Sequence, residues 1–297
     1  MKSLIKYFFI FFFCGIQFGT AQKKDRDHLM LTRSDYSFKE TASRLEKTLN
    51  DNNSLRLFAE IKHSEQAKEA GLKLSERSLF IFGNPKQGTM LMQSDQLVGL
   101  DLPLKILIYK KDDQTTITYN SINYLKKRYK LNKAKNLKKV KRGLKKIASK
   151  VSGNRVKKSG KFRLEEHQGI ISEISDFDFE TTYLRLLSVI ETNPNLQIFS
   201  EIDHFENAQE INLGLRPTRL IIFGNPKIGT PIMQEKEKIA LEFPVKFLVW
   251  RDEAGVVKIS YNDPAFLAKR FKLTNNIPQL ETMKKALKNL SKKASKY

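Results

Sequence analysis

Two hydrophobic periods alternate along residues 29–131. Phe38, Ala42, Leu45 and Leu49 recur at the spacing of a helix that buries one face. Short segments of strand character precede and follow this helix, and the continuous apolar run at 79–82 is typical of a central strand covered on both faces. The pattern predicts a strand, a helix, four strands with short helical connections and a closing helix. This β-α-β4-α order belongs to the α+β class.

The same pattern recurs 141 residues later. Residues 36–110 and 177–251 align without a gap and share 30 identities in 75 positions, which is 40%. The second copy then has one extra residue in a turn, and the match resumes at an offset of 142. A period of this length indicates two tandem domains rather than a solenoid of short repeats. We place the two domains at residues 28–131 and 168–273.

A basic amphipathic helix is predicted after each copy. Residues 126–163 contain 18 Lys and Arg and no Asp or Glu, and residues 283–297 add six Lys and no acid. Apolar residues recur there at steps of three and four, as in a helix with one apolar stripe. We place the first helix in a linker at 132–167 and the second at 274–297. The stripes are Leu137, Val140, Leu144, Ile147 and Val151 in the first helix, and Ile277, Leu280, Met283, Leu287, Leu290 and Ala294 in the second.

The lysine-rich faces of these helices have three interpretations. Each stripe docks on its own domain and leaves a solvated face, or the lysines meet an anionic surface such as a membrane or a polyanionic glycan. Nucleic acid is disfavoured, because the basic stretch lacks the aromatic side chains that stack on bases. The formal net charge of +22, from 54 Lys and Arg against 32 Asp and Glu, favours an anionic partner.

The N-terminus has the pattern of an export signal. Lys2 and Lys6 precede an apolar run of about 12 residues, and small residues ending at Ala21 precede a polar stretch. The run is shorter than the roughly 20 residues that span a bilayer. We expect residues 1–21 to be a cleaved signal peptide, with an uncleaved anchor as the alternative, and the protein to be periplasmic or secreted. The only cysteine, Cys14, is removed with it, which excludes a disulfide framework and a thiol nucleophile.

The most distinctive local motif, Gly-Asn-Pro-Lys-x-Gly-Thr, follows the buried strand in each copy. Thr230 is a good helix N-cap and Pro231 suits the first helical position, so free N–H groups beside a lysine predict a site for phosphate or carboxylate. The alternative is a plain strand-to-helix turn with glycine at positive φ and a solvated lysine. The candidate anion-binding residues are Asn84, Lys86, Gly88 and Thr89 in the first copy, and Asn225, Lys227, Gly229 and Thr230 in the second.

His63 and His204 occupy the same position in the two copies, three residues after a glutamate. A histidine there can serve as a base, as a metal ligand or as a strand-end residue without chemistry. A zinc site needs three or four ligands, and the whole chain has four histidines. No paired carboxylates or Ser-His-Asp spacing accompany them. We therefore assign no metal, cofactor or catalytic residue, and keep both histidines as candidate polar groups of a ligand site.

Several motifs resemble one known family. Glu-Ile-x-His, then Gly-Asn-Pro-Lys-x-Gly-Thr-x-x-Met-Gln, a strand opened by proline and finally Tyr-Asn are similar to the domain of unknown function 302. The resemblance covers roughly 30–131 and 170–273, and the second copy is the closer match. The first copy departs at Lys62, at residues 75–77 and at Met90. The resemblance implies a fold like that of the TATA-binding protein and no established reaction or ligand.

The sequence thus favours an exported, non-catalytic protein of two similar domains. Its expected role is a binding or envelope-associated module for an anionic small molecule or surface. The alternative is an enzyme that acts on a small anionic substrate through His204 and the segment Asn225–Lys227.

Overall fold

The chain folds as two similar α+β domains joined by a linker. A computed structural model describes residues 27–134 and 136–297, so the predicted signal peptide at 1–21 lies outside the described residues. The first domain consists of β1 (Leu29–Arg33), α1 (Phe38–Asn50), β2 (Arg56–Ile61), α2 (His63–Glu69), β3 (Arg77–Gly83), α3 (Pro85–Ser94), β4 (Leu104–Lys111), β5 (Gln114–Asn120), α4 (Ile122–Arg128) and α5 (Leu137–Ser152).

The second domain repeats this order. A short linker strand, β6 (Lys157–Lys158), precedes it. Its elements are β7 (Ile170–Ile174), α6 (Phe179–Glu191), β8 (Gln197–Asp203), α7 (His204–Gln209), β9 (Thr218–Gly224), α8 (Pro226–Glu235), β10 (Val245–Arg251), β11 (Val257–Asn262), α9 (Pro264–Phe271) and α10 (Ile277–Ser295). The predicted α+β class and the tandem arrangement are confirmed.

Each domain has one antiparallel sheet. The first sheet has the order β2-β3-β4-β5-β1-β6 and the second the order β8-β9-β10-β11-β7. The apolar run predicted to be central lies in β3, which is buried along its whole length between β2 and β4. The outer strands β2 and β8 carry the same irregularity, a shift of register one residue after Leu57 and Ile198.

The two basic helices dock on their own domains through their apolar stripes. Helix α5 packs beside α1 over β1 and β5, and α10 packs beside α6 over β7 and β11. The stripe of α5 is buried as predicted except for Ile147, which is half-buried, and Ala148 is buried in addition. Ile277 of α10 is 48% exposed, contrary to its place in the predicted stripe.

A repeated arginine fastens the C-terminal end of each basic helix. Arg44 of α1 donates from Nε to the carbonyl oxygen of Val151 at 3.1 Å, and Arg185 of α6 donates to that of Ala294 at 3.1 Å. The last carbonyl groups of a helix lack partners within the helix and carry partial negative charge. A guanidinium at this end therefore donates hydrogen bonds to these carbonyl groups and balances their negative charge in each copy.

The helix after the Gly-Asn-Pro-Lys motif begins earlier than predicted. Asn225 caps α8, because its side-chain oxygen accepts from the N–H of Lys227 at 2.9 Å, and Pro226 is the first helical residue. Thr230 is therefore not an N-cap, and Pro231 lies inside the helix. Gly229 is also helical and has no positive φ. The prediction failed because Asn-Pro five residues earlier is an equally good cap and first residue.

The two domains pack reciprocally across a pseudo-twofold interface. A 3-10 segment of the first domain, Gln96–Asp101, lies against β9, β10 and β11, and the equivalent segment Glu237–Leu241 lies against β3, β4 and β5. The sheet edges β2 and β8 also meet. Each sheet is thus covered on one face by its own helices and on the other by a segment of the opposite domain.

Candidate functional site

Each interface histidine inserts into the opposite domain. His63, the first residue of α2, lies with Nε2 3.2 Å from the carbonyl oxygen of Ala240. His204 takes the equivalent place against the backbone of Gly99 and Leu102. Both side chains are buried, and burial lowers the pKa of each to about 4. They are therefore neutral at pH 7, as buried imidazoles without a carboxylate partner should be.

A buried cluster of ions lies at the centre of the interface. It contains four cations and two anions, and all six side chains are at most 6% exposed. They form three pairs, and the two members of each pair come from equivalent positions of the two copies. The members are Asp101, Lys105 and Arg128 of the first domain, and Glu242, Lys246 and Arg270 of the second. The cluster ties the two domains together through charges that are buried away from the surface.

The contacts of this cluster cross between the domains. Lys105 Nζ lies 3.4 Å from a carboxylate oxygen of Asp101 and 3.4 Å from one of Glu242. Arg128 donates from Nη2 to Asn262 at 2.7 Å, and the equivalent Arg270 donates from Nη2 to Asn120 of the first domain. Each guanidinium thus has hydrogen-bond partners in its own domain and in the other. Its full set of partners is present only when the two domains are packed together.

Burial and charge shift the titration of the cluster in opposite directions. The surrounding cations hold the pKa of Glu242 well below its usual range, although burial alone would raise it. Burial, together with the adjacent Lys105, lowers the pKa of Lys246 below the usual lysine range. Cations outnumber anions in the cluster, so the carboxylates stay ionised while one lysine is the group that loses its proton most easily.

A cavity of about 550 Å³ lies in the first domain beneath α5. Its walls are apolar side chains from β2, β3, α3 and α5, among them Phe58, Phe82 and Ile147. The turn after β3 and His204 of the opposite domain close one end. A volume of this order accommodates a small organic ligand, and an apolar lining with few polar groups is usual for such sites.

Several polar atoms at this cavity have no protein partner. Thr89 Oγ1 and His204 Nε2 are buried and make no hydrogen bond to any described residue, and the same holds for the side-chain oxygen of Gln87. Buried polar groups normally have a partner, and several without one in the same cavity point to a ligand or to bound water.

The mouth of the first cavity is cationic. Lys139, Lys146 and Lys150 of α5 line it, all three are exposed, and none forms an ion pair within residues 27–134 and 136–297. The one acidic lining residue, Asp51, is paired with Lys47 at 3.2 Å. The first cavity therefore combines an apolar interior with positive potential at its opening.

The second domain has a cavity of about 280 Å³ at the equivalent place. It is lined by α10, by the turn after β9 and by His63 of the first domain. Among the described residues, no Lys, Arg, Asp or Glu lines it. Thr282 of α10 takes the place of Lys139, and Ala286 narrows the space that Gly143 leaves open in the first cavity. The two cavities are equivalent in position and different in chemistry.

The structure divides the predicted site residues between these cavities. Asn84, Gly88, Thr89 and His204 line the first, and Asn225, Gly229, Thr230 and His63 line the second. The two motif lysines, Lys86 and Lys227, are exposed and line neither. The N–H groups expected to bind an anion are also partly used, since Asn84 accepts from Gln87 at 2.9 Å and caps its own helix.

The ion cluster and the rim lysines were missed by the sequence analysis. The repeat carries a usable signal for the cluster, because Asp101, Lys105 and Arg128 align with Glu242, Lys246 and Arg270 at offsets of 141, 141 and 142. Lys139, Lys146 and Lys150 are seven and four residues apart, which places them on one side of α5. No spacing rule could show that this side faces a cavity.

Metal chemistry and membrane spans find no support in the described part of the chain. No group of three or more His, Cys, Asp or Glu side chains suited to a metal ion occurs within residues 27–134 and 136–297. Across the same ranges, no helix is both long enough and apolar enough to cross a bilayer.

The chain belongs to the family described as domain of unknown function DUF302. The family model matches it twice, at residues 30–151 and 171–293. The matches extend over most of α5 and α10, so the basic helices are part of the family unit.

Curated relatives match only a segment of the chain. The Fluoride-specific ion channel FluC 1 of Brucella suis biovar 1 is 49% identical over 78 residues, which are 26% of this chain and 31% of that protein. FluC 1 of Brucella abortus biovar 1 matches equally over 29% of its length. The chain thus spans less than a third of these relatives.

Two solved structures show weak similarity. A DUF302 protein from Bacillus stearothermophilus has a TM-score of 0.35 and 20% identity over 42% of this chain and 96% of its own. DynU16, a putative protein in the dynemicin biosynthetic locus, has a TM-score of 0.23 and 10% identity over 91% of this chain and 97% of its own.

Proposed function

We propose that the protein is an exported, non-catalytic binder of a small amphipathic anion, held in the cavity of the first domain. The observation that carries this proposal is the cavity of about 550 Å³. It has an apolar interior, and several of its buried polar atoms and the side chains of the three lysines at its mouth have no partner among the described residues. An apolar body fits the interior, and an acidic group at its end meets the rim lysines.

A comparison of the two cavities favours the first domain as the anion site. The second domain keeps the family motifs more closely, but its cavity is half the size and has no charged lining residue. We propose that it takes a smaller neutral group. Specificity for an acidic ligand then depends on α5 and not on the repeated motif.

The residues proposed for the alternative enzyme line different cavities. His204 lines the first cavity, Asn225 lines the second, and the exposed Lys227 lines neither. Catalysis needs the reacting groups within contact distance of one substrate. We therefore prefer binding to turnover.

Anilinonaphthalene sulfonate tests the proposal, because it joins an apolar aromatic body to one sulfonate. Its neutral analogue N-phenylnaphthylamine keeps the body and lacks the charge. Replacing Lys139, Lys146 and Lys150 by Gln should weaken binding of the sulfonate at least about fivefold, since charge-assisted contacts are lost. Binding of the neutral analogue should change by less than about twofold. Fluorescence titration of the native protein measures both.

Two variants of the cavity complete the experiment. Gly143→Leu should block both probes, because the position lines the first cavity and a Cβ there has open space around it. Ala286→Leu at the equivalent position of α10 should leave sulfonate binding unchanged. If the sulfonate binds equally to the wild type and to Gly143→Leu, the first cavity is not the site.

We propose a second, weaker role for the exposed lysines, contact with an anionic membrane or glycan surface. The apolar stripes of α5 and α10 are buried except at Ile147 and Ile277, so such contact is mainly electrostatic and decreases with salt. Charge reversal at Lys138 and Lys146 should reduce binding to anionic vesicles at low salt. Intact-mass measurement of protein from the native envelope fraction tests export, which predicts loss of residues 1–21.

A further inference from the structure

A third pocket, separate from both cavities, lies on the other side of α5. Its volume is about 110 Å³, and it opens where α5 meets β1 and the linker strand β6. It shares no lining residue with either cavity. Lys141 and Lys145 of α5 line it together with Lys158 and Lys161 of the linker. Four exposed lysines therefore line a space of the size of a small ion.

No carboxylate within residues 27–134 and 136–297 neutralises these lysines. None of the described residues that line the pocket is acidic, and none of the four lysines forms an ion pair with another described residue. The adjacent Asp27 is occupied elsewhere, because its carboxylate lies 3.3 Å from Lys238 Nζ and accepts from the N–H of Leu29. Lysines that line one small pocket with no carboxylate among the described lining residues favour an anion there.

Two buried polar atoms in this pocket have no partner. The side chain of His28 is 2% exposed, and its Nδ1 makes no hydrogen bond among the described residues. The opposite ring nitrogen, Nε2, is fixed 2.9 Å from the carbonyl oxygen of Phe162. The Nδ2 amide of Asn123 is also buried and unpartnered, and this group can only donate. A donor left unsatisfied in a cationic pocket calls for an acceptor that carries negative charge.

The second domain shows what the same position looks like without a pocket. Gly169 stands where the first copy has His28, and Ala265 stands where it has Asn123. Space beside Gly169 is filled, since a Cβ there would overlap the ring of Phe266. His28 keeps the left-handed backbone of its glycine equivalent, with φ of 60° against 71°. The first copy thus carries a side chain in a conformation that favours glycine, and that side chain forms the wall of the pocket.

We infer that this pocket binds a tetrahedral oxyanion, a phosphate or sulfate group that is free or part of a lipid headgroup. Asn123 donates from Nδ2 and the lysines supply charge-assisted contacts, while the ring of His28 forms part of the pocket wall. Several cations around one small volume match the multiple charges of phosphate better than the single charge of a carboxylate. Burial lowers the pKa of His28, and the nearby Arg270, Lys127 and Lys161 lower it further.

Titration of the native protein with inorganic phosphate tests this inference. The side-chain amide signal of Asn123 in a ¹⁵N-correlated NMR spectrum should shift on saturation, and calorimetry should give the affinity. Asn123→Ala, which copies the second domain, and the pair Lys141→Gln with Lys145→Gln should each lower the affinity at least about tenfold. The control pair Lys284→Gln with Lys288→Gln makes the same charge change at equivalent positions of α10 and should leave it within about twofold.

Vesicles containing phosphatidate distinguish the two sources of the oxyanion. The ligand is a headgroup if phosphate displaces the protein from these vesicles and if the double variant Lys141→Gln with Lys145→Gln no longer shows this displacement. Phosphate binding without such displacement identifies a free anion. The inference is overturned if phosphate leaves the Asn123 signal unmoved, or if the α5 and α10 pairs weaken binding equally, because then only the net charge of the protein attracts the ion.

Discussion

Glu242 and Asp101 occupy equivalent positions in the two domains, but they balance different numbers of cations. Glu242 contacts three cationic side chains, whereas Asp101 contacts two. Glu242→Gln should lower the free energy of unfolding by about 3–5 kcal/mol, because it leaves buried cations without a partner. Asp101→Asn should cost less. Urea titration of both variants measures the difference.

An exposed ion pair provides the control for this comparison. Lys47 lies in α1, and Asp51 directly follows the helix. The Nζ atom of Lys47 lies 3.2 Å from a carboxylate oxygen of Asp51, and the two side chains are 78% and 55% exposed. Lys47→Gln should change stability by less than about 1 kcal/mol, because water already screens the pair. A loss at Glu242 no larger than this would show that the cluster contributes little to the interface.

His63 and His204 make stability depend on pH. Burial lowers the pKa of both to about 4, so in the native state they stay neutral where the unfolded chain, with a pKa near 6.5, takes up protons. The unfolded state thus binds more protons between these values, and stability is lost as the pH falls from about 6.5 towards 4. Each histidine contributes a slope of up to about 1.4 kcal/mol per pH unit.

Denaturation at several pH values between 5 and 7 measures this slope. The double variant His63→Gln with His204→Gln should show a flatter profile, whatever its absolute stability. Part of the slope should remain, since burial also lowers the pKa of His28. An unchanged slope in the double variant would mean that other groups cause the pH dependence.

At the scale of elements, a glycine inside a helix and a glycine that ends a helix should respond differently to substitution by alanine. Gly229 lies inside α8, and a Cβ there would make ordinary contacts of 3.9 Å with Met233 and Phe243. Gly229→Ala should therefore raise stability by about 0.5–1 kcal/mol, since alanine is the better helix former.

Gly153 is the matched contrast. It ends α5 with φ of 77°, and a Cβ would lie 2.6 Å from a carboxylate oxygen of Asp35. Gly153→Ala should lower stability, because the left-handed backbone disfavours a side chain and Asp35 would have to move. Thermal unfolding of the two variants should give shifts of opposite sign. A loss of stability in Gly229→Ala would support the turn predicted from the sequence instead of the helix.

The sequence predicts most elements and little of the site, for a physical reason. Periodicity and the repeat report local burial, so strands such as β3 and the docked face of α5 follow from them. Helix starts are less certain when two caps compete, as Asn225 and Thr230 do. Which side of α5 faces a cavity depends on the packing of α1 and β2 around it, and no residue spacing records that arrangement.

At the scale of the whole molecule, neither domain is complete alone. The segment Glu237–Leu241 covers the first sheet, and its loss would expose the buried ions of that domain. Residues 168–297 alone should therefore unfold at a lower temperature than the full chain, and mixing with residues 22–167 should restore a folded complex. Size-exclusion chromatography and circular dichroism measure both. If the separate half stays monomeric and melts like the full chain, the interface is not needed for its stability.

Joining both copies in one chain has a consequence for how the protein can change. In a homodimer every mutation alters two symmetry-related sites at once. After duplication and fusion, a single base change at Gly143 or Ala286 remodels one cavity and spares the other. The cavities of about 550 and 280 Å³ are such paralogous halves, already diverged in size and charge. The shared ion cluster cannot change in one domain alone, because each domain depends on the charges of the other. Only the two cavities are therefore free to diverge in the ligands that they bind.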